Sequence, residues 1–147
     1  MSPAATLLPR RLLLDTNVVV GALLWRGLPW RLMEVAVEEG FELASSPALM
    51  AELEHTLNYP KFANRLALLQ TGVAGLLNHY QAITTLVDPA DVPRVVPDDA
   101  DDDHVIAAAL AARADLIVSG DHHLLSLGSH EGIVIVTARE AWERIAP

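Results

Sequence analysis

Apolar residues along this chain fall into short unbroken runs separated by spaced stripes. Leu12-Leu13-Leu14, Leu116-Ile117-Val118 and Ile133-Val134-Ile135-Val136 have the continuity of strands buried on both faces of a parallel sheet. Elsewhere apolar residues recur at three and four, as they do when a helix buries one face. Leu32, Val35 and Ala36 share such a face in a helix predicted over 30–39, which Gly40 ends as a left-handed cap. Leu49, Leu53 and Leu57 form the stripe of a helix opened by Ser46-Pro47, a side-chain cap followed by a residue that needs no amide hydrogen.

The remaining segments follow the same logic. A strand over 11–18 leads into a helical stretch near 18–25, with a break at Gly27 and Pro29. A short strand covers 41–44. Asn58-Tyr59-Pro60 separates the striped helix from a helical pair over 61–70 and 72–80, and a strand spans 82–87. Residues 88–100 are a Pro- and Asp-rich loop, followed by a helix over 102–114 and strands over 116–119 and 133–136. Thr137 caps a closing helix, with Glu140 in the capping-box position. This alternation predicts an α/β fold: a three-layer α/β/α sandwich with a roughly five-stranded parallel sheet. Residues 11–147 form one domain behind a short flexible lead, residues 1–10, and no internal repeat or linker interrupts them.

Composition removes several function classes. The chain of 147 residues is 52% hydrophobic and has no cysteine, which excludes a disulfide scaffold, thiolate zinc sites and thiol catalysis. No apolar stretch reaches the roughly 18 residues of a membrane span. The N-terminal arginines follow rather than precede a weak apolar stretch, unlike a signal peptide, so a cytoplasmic location is expected. Net charge is −9, with ten basic residues against nineteen acidic, which argues against an extended phosphate-binding surface. Five aspartates lie between Asp98 and Asp103, where a bound divalent cation would reverse the local sign.

Two of the acids, Asp15 and Asp121, follow apolar runs from distant parts of the chain. Ligands of open α/β sheets bind beyond the carboxyl ends of strands, so these two predict one acidic site. Each also has a plainer reading, as the cap of the helix that follows. Asp103 shares a helical face with Ile106, Ala107 and Leu110, where a carboxylate is costly unless paired or bound to a cation. Asp98, Asp99, Asp101 and Asp102 read as helix-capping charge, with Asp102 on the flank. Glu52 and Glu54 both lie off the leucine stripe, and spacing does not choose between them. Asn17 and Ser119 are polar groups able to orient a carboxylate or a phosphate. Clustered carboxylates suit Mg²⁺ or Mn²⁺. His104, His122 and His123 adjoin candidate acids but lack zinc-helix spacing, and they read as exposed loop or helix residues, with contact of one of them to substrate or metal as the alternative. Trp25 and Trp30, beside Arg26 and Arg31, are assigned to core packing, with stacking or phosphate contact as the alternative. Glycine-rich nucleotide loops and a Gly-x-Ser-x-Gly elbow are absent.

Four segments carry a resemblance. Leu13-Leu14-Asp15-Thr16-Asn17-Val18 resembles the opening motif of PIN-domain nucleases. Glu52-Leu53, Leu57 and Pro60-Lys61-Phe62 resemble the second acidic motif of a bacterial subgroup. Asp99-Ala100-Asp101-Asp102-Asp103 resembles the third, with Ala100 where proline is usual. The segment from Ala114 through Ser119-Gly120-Asp121 to Leu125 resembles the fourth. The resemblance spans about 12–136 and selects Glu52 over Glu54. It implies Asp15, Glu52, Asp103 and Asp121 as catalytic acids and metal ligands for Mg²⁺ or Mn²⁺, supported by Asn17 and Ser119. It further implies a metal-dependent endoribonuclease acting on single-stranded or structured RNA. A VapC-like toxin would be held by a cognate antitoxin, with a homodimer as a further expectation. The rival readings are a catalytically weak PIN-fold module that binds RNA or protein, and a phosphohydrolase of the haloacid-dehalogenase type using Asp15. The second wants an acid two residues on, where this chain has Asn17.

Overall fold

In a computed structural model, residues 10–89, 91, 92, 95 and 100–147 are described, without the side chains of residues 100 and 101. Residues 1–9 of the expected lead, and Asp98 and Asp99, lie outside them.

Six strands form one sheet: β1 (Arg11–Leu14), β2 (Glu42–Ser45), β3 (Thr84–Leu86), β4 (Leu116–Val118), β5 (Ser129–His130) and β6 (Ile133–Val136). Their order is β3-β2-β1-β4-β6-β5, and all neighbours are parallel except β5 and β6. The helices are α1 (Thr16–Trp25), α2 (Gly27–Glu38), α3 (Pro47–Leu57), α4 (Ala63–Leu68), α5 (Val73–Ala82), α6 (Ala100–Ala112), α7 (His122–Leu127) and α8 (Ala138–Ile145), with a 3₁₀ turn at Pro60–Phe62.

Alternation along the central strands builds two cores. Leu12, Leu14, Leu43, Leu116 and Val118 face α1, α2 and α8 on one side. Leu13, Ala44, Ile117, Ile133 and Ile135 face α6 and Leu124 of α7 on the other. Strands covered on both faces have no polar side, which is why their sequences read as unbroken apolar runs. Among the described residues no helix is long and apolar enough to cross a membrane.

The structure departs from the sequence reading at three places. The first strand stops at Leu14, not near residue 18, because Asp15 caps α1 and its side chain accepts the Thr16 amide. Nearly every residue from Val18 to Leu24 is buried, so no periodicity marks where strand gives way to helix. The break before α2 is narrower than expected. Arg26 and Gly27 take φ of 61° and 57° and reverse the chain, and Pro29 falls in the first turn of α2, where no amide donor is needed. The sixth strand, β5, is two polar residues without an apolar signature. It is held against β6 by a two-residue turn, Glu131-Gly132, with φ of 48° and 84°. Paired positive φ is what a tight hairpin turn requires.

The expected helix signals at other positions are in place. Ser46 Oγ accepts the Leu49 amide at 3.2 Å, and Gly40 has φ of 81°. The Thr137–Glu140 capping box is closed in both directions.

Ile117 is fully buried in a central strand, whereas Val37 lies exposed on α2. Ile117→Ala should lower the unfolding free energy by about 2–5 kcal/mol. Val37→Ala should change it by less than about 0.5 kcal/mol. Urea denaturation of the two variants measures both.

Candidate metal centre

The strand order reverses direction around β1. The chain leaves β1 toward β2 and β3 on one side and later returns to lay β4 and β6 on the other. The carboxyl ends of β1 and β4 therefore flank the crevice where open α/β sheets bind ligands. Leu14 and Val118 are in register, and the Asp15 amide donates to the Val118 carbonyl at 2.9 Å. Asp15 and Ser119 thus leave adjacent strands at the same level.

Their side chains meet. Ser119 Oγ donates to Asp15 Oδ2 at 2.8 Å, while the Thr16 amide donates to Asp15 Oδ1 at 2.8 Å. The same Ser119 oxygen accepts the Asp121 amide at 2.9 Å. One buried hydroxyl therefore ties the β1 carboxylate to the turn that carries Asp121. Asp15 is only 4% exposed. Its charge is offset by these donors and by the α1 N-terminus, whose exposed amides favour an anion.

Asp121 stands half-buried one residue past Gly120 and caps α7, its Oδ1 accepting the His123 amide at 2.8 Å. The capping turn brings the His123 ring back toward the acid, with Nδ1 3.6 Å from Asp121 Oδ1. Asp102 approaches from α6. Asp102, Asp121 and His123 each offer one ligand atom, and these atoms lie within 4.8 Å of one another. Two ligands across a single ion, at about 2.1 Å each, span a similar distance. Two carboxylates and an imidazole form a donor set that fits a small divalent cation: the oxygens suit Mg²⁺ or Mn²⁺, and the nitrogen favours a transition-metal ion such as Mn²⁺ over Mg²⁺.

The third-motif acids divide in a way the helical wheel did not anticipate. Asp102 was assigned to the flank, yet it is buried and aligned with Val105, Ile106 and Ala109, all in the core beneath α6. Asp103 is buried too, and its Oδ1 accepts the Val95 amide at 2.8 Å, which ties the preceding loop to the helix. Residues 105–109 are all buried, so α6 has no polar face in this stretch to orient the wheel. His123 was read as an exposed loop residue. Its proximity to Asp121 follows from a turn that spacing alone does not encode.

Other predicted residues are placed as follows. Glu52 is half-buried on α3, whereas Glu54 is exposed. Asn17 is exposed in the first turn of α1, and Ser119 is fully buried. His104 is half-buried on α6, and His122 is exposed beside His123, ring centroids 4.2 Å apart. Trp30 is half-buried and stacks on His79. Trp25 is not a core residue: 52% of it is exposed.

Comparison with known proteins follows this geometry. A family model described as a PIN domain matches residues 11–123, from the first residue of β1 to the second of α7. No curated protein sequence matches the chain significantly. Among solved structures, the chain is similar in fold to one in the crystal structure of VapBC2 from Rickettsia felis bound to a promoter DNA fragment. The TM-score is 0.61 at 14% identity, and the alignment covers 85% of this chain and 96% of that one.

Ser119→Ala removes a hydroxyl that serves a carboxylate and an amide at once. The loss should be about 1–3 kcal/mol of stability, because both groups are buried or partly so. Thermal and urea unfolding of the purified variant test this, and an unchanged midpoint would rule out the tie.

Proposed function

The chain belongs to the PIN-domain family, and we propose that it is a divalent-metal-dependent endoribonuclease acting on single-stranded RNA, the toxin of a toxin–antitoxin pair. PIN domains are in general nucleases. The observation that carries the reading is the convergence of Asp102, Asp121 and His123, joined through Ser119 to Asp15 at the crevice between β1 and β4. A bound divalent cation supplies Lewis acidity toward a phosphodiester and its attacking water.

The chain's own residues have distinct tasks in this scheme. Asp102, Asp121 and His123 hold the cation. Asp15 adds negative charge at the same crevice and is kept in orientation by Ser119. Glu52 faces the substrate from α3 and orients the attacking water, and Asn17 meets the substrate at the α1 terminus. Asp103, which sequence alone favoured as a ligand, acts instead by pinning the loop before α6 through Val95. Both Asp15 carboxylate oxygens accept hydrogen bonds within the fold, which speaks against Asp15 as the nucleophile of a phosphohydrolase.

The toxin reading rests on different support. The Rickettsia felis structure is a VapBC2 assembly on promoter DNA. This chain's net charge of −9 and acidic crevice suit a basic partner through charge pairing. The partner would be an antitoxin segment that sets an Arg or Lys near Asp15 and Asp121 and suppresses cleavage.

Cleavage of a labelled single-stranded RNA with Mg²⁺ or Mn²⁺, and its loss in EDTA, tests the activity. Binding is read separately from the melting temperature. A cation at a hundredfold excess over its Kd should stabilise the native protein by about 2.7 kcal/mol. Asp102→Asn and Asp121→Asn should remove most of that increment. Asp103→Asn should lower the metal-free melting temperature yet keep the increment. If Asp103→Asn abolishes the increment and Asp102→Asn leaves it intact, the assignment of the two acids is reversed.

A further inference from the structure

Charge in this chain is unevenly distributed. Its nineteen acidic residues leave one long stretch empty: residues 55–87 contain none, while Lys61, the only lysine, and Arg65 both fall inside it. The sequence there is also where aromatic rings gather. At the end of α3 the His55 and Tyr59 rings meet edge to face, with centroids 5.4 Å apart. Tyr59 and Phe62 are nearly parallel, 8° between planes and 6.4 Å between centroids. Phe62 in turn meets the edge of Trp25 at 5.5 Å.

The cations interleave with these rings. Lys61 Nζ lies 5.2 Å from the Phe62 centroid and 5.8 Å from that of Tyr59. The Arg65 guanidinium lies 5.9 Å from Trp25, its Nε donating to the Leu24 carbonyl at 2.6 Å, which fixes α4 against the end of α1. This is no buried cluster: Trp25 is 52% exposed and Tyr59 39%, and Lys61 and His55 are exposed. Exposed indole and phenol faces offer apolar area on which a planar base can stack, and cations beside them add attraction for phosphate.

We propose that Trp25, Tyr59 and Phe62, with Lys61 and Arg65, form a stacking platform for single-stranded RNA. Base–aromatic stacking accepts any base, and the flanking cations neutralise backbone phosphates, so a strand is held without being read. The platform also reaches α3. Glu52 and His55 are three residues apart on that helix and share its face, and the His55 ring touches Tyr59. A strand lying along this face would pass Glu52 and His55 and then meet the rings. This arrangement also resolves how an acidic protein engages a polyanion: the acid-free segment supplies the anchoring surface, and the acidic crevice engages the strand with its cation.

The inference rests on the ribonuclease reading for its ligand, but binding can be measured without cleavage. The experiment is fluorescence anisotropy of a labelled single-stranded RNA in EDTA, using the full chain. Trp25→Ala and Tyr59→Ala should each weaken binding about tenfold. Lys61→Gln should weaken it less and reduce the slope of log Kd against log salt. Tyr59→Phe keeps the ring and should bind as wild type. Arg31→Ala, which removes an exposed cation stacked on Trp142 elsewhere, is the control and should change little. Unaltered melting temperatures show that the variants are folded. Equal losses from Arg31→Ala and Lys61→Gln, or wild-type affinity in both ring variants, overturn the platform. So would ring variants that keep RNA affinity but no longer bind a co-expressed partner, which makes the surface a protein interface. If the wild type cleaves RNA and the ring variants leave KM unchanged, the platform fails and the nuclease reading stands. If no RNA is cleaved but the ring variants lose RNA binding, the reverse holds.

Discussion

The structure depends on how a buried carboxylate is accommodated where two parallel strands end. Asp15 sits at the carboxyl end of β1 and is nearly inaccessible to water. An unpaired charge there would be expelled or protonated. The fold instead surrounds it with the Thr16 amide, the Ser119 hydroxyl and the start of α1. The parallel register of β1 with β4 is what delivers Ser119, since Leu14 faces Val118 and both chains turn away at the next residue. A shift of one position would send Ser119 to the opposite face and leave the carboxylate to the helix terminus alone.

From that joint the rest of the crevice follows. Ser119 accepts the Asp121 amide and so sets the turn that caps α7. The cap brings the His123 ring toward Asp121, and α6, packed across β1, β2 and β4, brings Asp102. For Asp15 and Asp121 the capping hydrogen bonds are also what hold the carboxylates at the crevice. A cap holds a carboxylate at a helix terminus with limited freedom, and that rigidity is what a cation site requires of its ligands.

Charge is unevenly distributed over the molecule. Acids concentrate at the crevice and on the outer helices, while residues 55–87 carry none. The acid-free segment also contains the turn Pro60–Phe62, whose Phe62 ring packs against Trp25 at the end of α1. A net charge of −9 describes the whole chain, whereas any partner meets a local surface.

Much of the architecture was legible in the sequence. Strands covered on both faces must be continuously apolar, so Leu12–Leu14, Leu116–Val118 and Ile133–Val136 announced themselves, as did the caps Ser46 and Thr137, whose hydrogen bonds are local. That Asp15 and the turn carrying Asp121 follow neighbouring strands on one side of the sheet was also implied, because a parallel sheet puts such ends together; the link through Ser119 was not. Three things were left to tertiary structure. Strand β5 needed a partner, since its two polar residues have no pattern of their own. The exposure of Trp25 depended on where α4 packs, which no local signal reports. The different surroundings of Asp102 and Asp103 depended on rotation of α6 about its axis. On a helix buried nearly all round, the apolar positions do not define that rotation. It is decided by the sheet beneath, by the Val95 amide that takes Asp103, and by the Asp121 turn that receives Asp102.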